Sequence, residues 1–154
     1  MNTFRITIDS DLTGLFLVSM VVRGVCDHLG MDATEASSVD VCTVEAVTNA
    51  IKHAYRGARG HDVQIHVSFT PERLDLEVRD QGGSMPEKQV NLLQSGSHVF
   101  EFDPANLEGL PEGGMGLEII RQTMDEAAYT TGDGTNRLRM TKLLRPAASA
   151  EVAG

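Results

Sequence analysis

Two alternating runs in the middle of the chain constrain its fold more than any other feature. Residues 62–69 read DVQIHVSF and residues 73–80 read RLDLEVRD, with Thr70, Pro71 and Glu72 between them. Val63, Ile65, Val67 and Phe69 point one way, and so do Leu74, Leu76 and Val78. Strict alternation across a tight turn predicts a β-hairpin with one buried face. The register matters, because a slip of one residue would turn every apolar side chain to the other face.

The flanking sequence supplies the rest. Residues 4–8, FRITI, alternate and predict a strand. Asp9, Ser10 and Asp11 then offer capping groups for a helix from about Leu12 to Leu29. The GMD tripeptide breaks it. Thr34 can cap a second helix, with Glu35 in its first turn, running to about Tyr55. RGARGH is a turn. Later, residues 117–124 predict a helix, EAAYTT a strand, GDGTN a hairpin turn and RLRMTKLL a closing strand. This order avoids regular βαβ alternation and joins strands by hairpins. It predicts an α+β, two-layer α/β sandwich, its sheet mostly antiparallel and its helices on one face.

At 154 residues the chain suits one domain, over residues 1–145, with a small, polar tail over 146–154 that frays. The net charge of −9 argues against direct nucleic-acid binding, which leaves a basic footprint. Cys26 and Cys42 are the only cysteines, and their spacing matches neither a disulfide framework nor a zinc pattern. The apolar run LFLVSMVV follows two aspartates and is interrupted by Arg23, unlike a secretory signal. It is also too short to span a membrane. It reads as a buried helix of a cytoplasmic protein.

Between Gln81 and Gly116 periodicity fades. This stretch holds seven of the fifteen glycines, together with Pro86, Pro104 and Pro111. A short helix fits residues 87–93. So long an irregular segment in a small domain is usually functional.

Three local constellations carry chemistry. On the second helix, Glu45, Asn49 and His53 recur every four residues, and Glu45 and Asn49 lie roughly 40° apart on one face. Val44, Val47, Ile51, Ala54 and Tyr55 form the apolar stripe opposite. Glu45 and Asn49 can be a solvated face, or a site in which a carboxylate handles a proton beside a side-chain carbonyl suited to magnesium. At the end of the hairpin, Asp80 stands where the alternation calls for an apolar residue. An inward carboxylate needs a partner, and an amino group on a bound base would serve, with Gly82 and Gly83 leaving room for the ring. Otherwise Asp80 starts an ordinary turn. Finally, EGGMGLEII places glycines at a helix N-terminus, where backbone N–H groups attract anions. It matches neither a P-loop nor a dinucleotide fingerprint. Alone it is a glycine hinge.

Taken in order, ExxxNAxxHAY, DQGGSMP, GGMGLEII, MDE and GTNRLRM resemble the GHKL ATPase and kinase superfamily of gyrase, Hsp90, histidine kinases and MutL. Within it the chain is most similar to the anti-sigma-factor serine-protein kinases of bacterial partner switching. The resemblance covers about Phe4 to Leu144. It implies a Bergerat-type ATP-binding fold with a mostly antiparallel mixed sheet. It implies Glu45 as the catalytic base and Asn49 as the magnesium ligand. ATP would be bound by Asn49, Lys52 and His53 of the second helix, by Asp80, Gly82 and Gly83 at the adenine, and by Gly113, Gly114, Met115, Gly116 and Leu117 at the triphosphate. Thr135 would support the adenine end. Residues from about 84 to 113 would be the ATP lid, with Gly113 its pivot.

The function so implied is an ATP- and Mg²⁺-dependent serine/threonine protein kinase. It would phosphorylate a STAS-type anti-sigma antagonist, sequester a sigma factor and form a homodimer, with no membrane or nucleic-acid partner. The main alternative is a nucleotide-gated regulatory binding module with little or no phosphotransfer. A histidine-kinase catalytic domain fits poorly. Its phosphoacceptor hairpin has no room before the second helix, where His28 is the lone histidine.

Overall fold

The structure is a computed structural model, and residues 1–94 and 114–145 are described. The elements run β1 (Asn2–Asp9), α1 (Leu15–His28), α2 (Ala33–Asn49), β2 (Asp62–Thr70), β3 (Arg73–Asp80), α3 (Glu87–Gln94), α4 (Gly114–Thr123), β4 (Glu126–Gly132) and β5 (Thr135–Leu143). The five strands form one sheet in the order β1-β2-β3-β5-β4. All four pairings are antiparallel. The sheet is therefore antiparallel throughout the described residues, and the mixed character implied by the resemblance is not seen there. The physical reason is direction: the helical pair between β1 and β2, and the segment between β3 and β5, each bring the chain back against its neighbour.

The hairpin registers as the alternation predicts, with Ile65 opposite Val78 and Val67 opposite Leu76. Val63, Ile65, Val67, Leu74, Leu76 and Met140 are fully buried on the face that meets the helices. α1 packs on α2, α2 on α4 and β3, and α3 on α4 and β4. The other sheet face is polar, as a one-sided antiparallel sheet allows. There Asp75 accepts two bonds from the Arg73 guanidinium, at 2.7 and 3.0 Å, and one from the Thr141 hydroxyl at 2.6 Å.

Helix ends differ from expectation for local reasons. Asp11 caps a single 3-10 turn, Leu12–Gly14, so α1 begins only at Leu15. α2 is capped by Asp32 rather than Thr34: Asp32 has extended backbone, and its carboxylate accepts the Glu35 N–H at 2.8 Å. A carboxylate also suits the positive end of the helix dipole, and Thr34 falls inside the first turn. α1 buries Val18, Val22 and Cys26 but leaves Phe16 62% and Met20 65% exposed. The apolar run is thus a helix with one buried face, not a wholly buried one. No helix among the described residues is long and apolar enough to cross a membrane. Cys26 and Cys42 are free, buried thiols, and burial pushes the Cys26 thiol up to about 11.

The predicted single helix to Tyr55 is in fact α2 followed by one π-helical turn, Ala50–Ala54. The Tyr55 N–H donates to the Ala50 carbonyl at 3.0 Å, five residues back, and the Gly57 N–H reaches Ile51 at 2.9 Å. The Tyr55 hydroxyl helps hold this geometry. It donates to the Asp62 carbonyl and accepts the Gln81 N–H, both at 2.8 Å. The last π-turn carbonyl, on Ala54, is left for another partner.

Candidate functional site

That partner is the segment after β3. The Gly83 N–H donates to the Ala54 carbonyl at 2.9 Å. Gly82 presses so closely on the same turn that a Cβ there would overlap the Ala54 carbonyl group. Backbone packing alone therefore requires a glycine at position 82. At Gly83 a Cβ would sit 3.7 Å from the Ala54 oxygen, an ordinary contact.

Above this junction lies a cavity of about 290 Å³, near the lower size of small-ligand sites. Ala46, Asn49, Ala50, His53 and Ala54 form its helical wall. Val78, Asp80, Leu138 and Tyr129 form the sheet wall. Gly83, Ser84, Met85, Pro86 and Gln89 close the side toward α3, and Arg56 contributes from beyond the π turn. Much of the lining is apolar, with Asn49 on the helical wall and Asp80 on the sheet wall among its polar groups.

Asp80 is 8% exposed. Burial drives its carboxyl above the usual carboxylate range, while donors from Asn136 and the Gly82 N–H pull it part of the way back. These donors lie 2.7 and 3.0 Å from Oδ1. The carboxylate is thus desolvated, held by one oxygen and placed on a cavity wall. It suits a ligand that presents an N–H donor.

Asn136, not Thr135, supports Asp80. The turn between β4 and β5 consists of only Asp133 and Gly134, with φ of 54° and 73°, as a type I′ hairpin requires. Thr135 then pairs with Gly132, and Asn136 falls opposite both Thr131 and Asp80. Alternation puts Asn136 with Leu138 and Met140 on the buried face and turns Thr135 to the other. Counting back from those two apolar residues would have found it.

Glu45 sits at the other end of the site, outside the lining of the cavity. It is half-buried, and its carboxylate lies against Gly116 in the first turn of α4. A Cβ on Gly116 would overlap Oε2 and come within 3.2 Å of Cδ. The glycine lets a carboxylate from α2 lie beside the N-terminal turn of a second helix. Gly114 begins that helix and Met115 is half-buried. The Leu117 side chain is fully buried in the core, so only its backbone can face a ligand. Lys52 is exposed and does not line the cavity, whereas the exposed His53 does. Gly113, most of the expected lid (residues 95–113) and the expected tail (146–154) lie outside the described residues.

Tyr129 also escaped the sequence reading. Its hydroxyl accepts the Met85 N–H at 2.8 Å, tying the start of the expected lid to β4. Burial raises its pKa. Arg56 stands out for a left-handed backbone, φ 52°, which non-glycine residues adopt rarely.

No group of three or more His, Cys, Asp or Glu side chains among the described residues could hold a metal alone. A cation here would need oxygens from the ligand beside Asn49. The donor set fits that arrangement, since magnesium commonly takes one or two protein oxygens and completes its shell from phosphate and water.

A family model described as the histidine kinase-like ATPase domain matches residues 8–142. The serine-protein kinase RsbW of Bacillus pumilus is 31% identical over 131 residues, covering 83% of this chain and 77% of that protein. RsbW of Bacillus subtilis is 28% identical over 129 residues, with the same two coverages. Among solved structures, the RsbU and RsbW domains of Rv1364c from Mycobacterium tuberculosis superpose with a TM-score of 0.63 at 18% identity. That match spans 96% of this chain and 34% of the longer one. The SiaB–SiaC complex from Pseudomonas aeruginosa gives 0.59 at 13% identity, over 90% of this chain and 88% of that one. At these identities the structural likeness speaks to the fold.

Proposed function

The chain belongs to the histidine kinase-like ATPase domain family, in its anti-sigma-factor serine-protein kinase branch, and from that premise we propose that it is an ATP-dependent serine/threonine kinase of a partner-switching system. One observation carries the reading. Two carboxylates bracket the site, Asp80 buried on the cavity wall and Glu45 against the N-terminal turn of α4. The first can read a base, and the second stands where phosphate would meet helix-end N–H groups.

Bound ATP supplies the transferable phosphoryl group. Asp80 accepts a hydrogen bond from the amino group of the adenine. Asn49 would offer its side-chain oxygen to magnesium, and the first N–H groups of α4 would face the phosphates. Glu45 accepts the proton from a partner's serine or threonine hydroxyl as that oxygen bonds to the γ-phosphorus of ATP and the bond to the departing ADP breaks. The partner is a STAS-type antagonist, and the same kinase, as a cytoplasmic homodimer, sequesters a sigma factor. A phosphate dianion on the antagonist disrupts its complex and leaves the kinase free for the sigma factor.

The test is incubation with γ-labelled ATP, Mg²⁺ and a candidate STAS protein. The expected result is label on a serine or threonine of that protein. Tight ATP binding with no labelled partner would favour the nucleotide-gated binding module instead.

A further inference from the structure

Two neighbouring rows across the open face of the sheet carry an excess of positive charge. In one row Arg5, His66, Glu77 and Arg139 stand opposite one another on β1, β2, β3 and β5. In the next row Gln64, Arg79 and Arg137 follow on β2, β3 and β5. Within these two rows four arginines share one carboxylate, in a chain whose net charge is −9. Arg79 and Arg137 are direct cross-strand partners, and like charges so placed cost stability. A surface that only kept the protein soluble would intersperse its signs.

Glu77 does not neutralise the band. Its Oε1 accepts the Arg79 Nε–H at 2.5 Å, while Arg137 Nε stays 3.8 Å from the same oxygen. Arg139 lies 3.5 Å from Asp75 Oδ1, which the Thr141 hydroxyl and the Arg73 guanidinium already bond at 2.6 and 3.0 Å. Both contacts are longer than a good hydrogen bond. The Arg137 and Arg139 side chains are 36% and 53% exposed, and Arg5 is exposed on the edge strand β1. Their guanidinium groups are therefore within reach of a partner. His66 feels the same field: burial, reinforced by Arg79, Arg5 and Arg137, holds its pKa below the usual histidine value despite Glu77.

We propose that this band is a docking surface for an acidic α-helix of a partner protein, laid across the strands. Adjacent strands lie about 4.8 Å apart, so the band from β1 to β5 spans roughly 14 Å. Carboxylates three or four residues apart on a helix are separated by about 4.5–6 Å along its axis. A helix crossing the strands thus brings roughly one carboxylate to each strand. The planar fork of arginine suits that acceptor, because it can donate two parallel N–H bonds to one carboxylate. Nucleic acid fits less well. The band offers one imidazole and no Phe, Tyr or Trp for bases to stack on, and the charge of the whole chain repels phosphate. The cavity lies between the sheet and the helices, so a partner on the open face leaves it clear.

The experiment titrates the full chain into a fluorescent, alanine-rich helical peptide with glutamates at every third and fourth position along one face, read by anisotropy. A peptide with glutamine at those positions is the control. The glutamate peptide should bind at low salt and lose affinity severalfold toward physiological salt, and the glutamine peptide should not bind. Arg5→Gln combined with Arg137→Gln should weaken binding by about tenfold or more, with a thermal melt to check folding. Arg59→Gln, at an exposed arginine outside the band, should leave it unchanged. Should the double variant fail to fold, Arg5→Gln alone should still weaken binding by about threefold. No binding of the glutamate peptide at low salt, or equal binding by wild type and the band variants, overturns the proposal. Tighter binding of single-stranded DNA of equal charge also overturns it, by giving the band to nucleic acid. So does sedimentation in which wild type pairs and the band variants are monomers, because the occupant is then a second copy.

Discussion

The two ends of the site are built differently. At the base end Asp80, Asn136 and Thr131 sit on three adjacent strands and are linked by hydrogen bonds through Asn136, with Asp80 and Asn136 buried. At the phosphate end Glu45 and Gly116 meet from two helices, and Glu45 is half-buried. On the proposed reading, recognition would rest on side chains bonded to one another within the sheet, and chemistry on a seam between α2 and α4. The contrast teaches that affinity and rate should be separable by mutation.

The sharpest way to break this comparison is Glu45→Ala. Loss of a general base should slow phosphotransfer by roughly 10²–10⁴-fold. ATP affinity should stay within about threefold, measured by initial rates of partner labelling and by titration. A matching loss of affinity would show that the two ends are one unit. Next in size is Gly82→Ala, whose Cβ would overlap the Ala54 carbonyl group. Backbone cannot step aside cheaply, so the cost should be roughly 2–3 kcal/mol of folding stability, read from denaturant melts.

Asp80→Asn comes third. It should weaken ATP binding by about tenfold, or roughly 1.4 kcal/mol, with little effect on turnover at saturating nucleotide. The same carboxylate gives the base end a pH signature of opposite signs. Burial raises its pKa above the unfolded value. Its contribution to stability is therefore full below the unfolded carboxyl pKa and is lost as pH rises through the folded one. ATP affinity runs the other way and falls as acid protonates the acceptor, at a higher pH than for an ordinary aspartate. Melting and titration across mildly acidic pH, with Asp80→Asn as the flat control, would show both trends. The smallest effect belongs to Lys52→Ala, which should change stability and ATP affinity by no more than about 0.5 kcal/mol, since the side chain is exposed and lines no part of the cavity.

Much of this was legible in the sequence where side chains alternate. The hairpin, its register and the anomaly of Asp80 all follow from period two, and the i, i+4 spacing marked Glu45 and Asn49. What could not be read were features set by contacts distant in the chain. Gly82 and Gly116 stand out by composition, yet their partners, Ala54 and Glu45, become visible only when the layers meet. The resemblance puts Thr135 at the adenine end, while the two-residue turn gives the inward place beside Asp80 to Asn136. Thr34 and Asp32 are both good caps, and only backbone geometry chooses between them. The π turn has no signature at all, since AIKHA is ordinary helical text.

That turn has a consequence for how the gene can change length. It inserts one extra residue between α2 and Tyr55, whose hydroxyl ties to Asp62 and Gln81. Losing one codon from 50–54 would let the helix close as a regular α-helix while Tyr55 keeps its face, whereas losing one from within α2 would turn everything beyond it by about 100°. The helix end thus carries a spare residue, a local tolerance in length that the rest of α2 does not have.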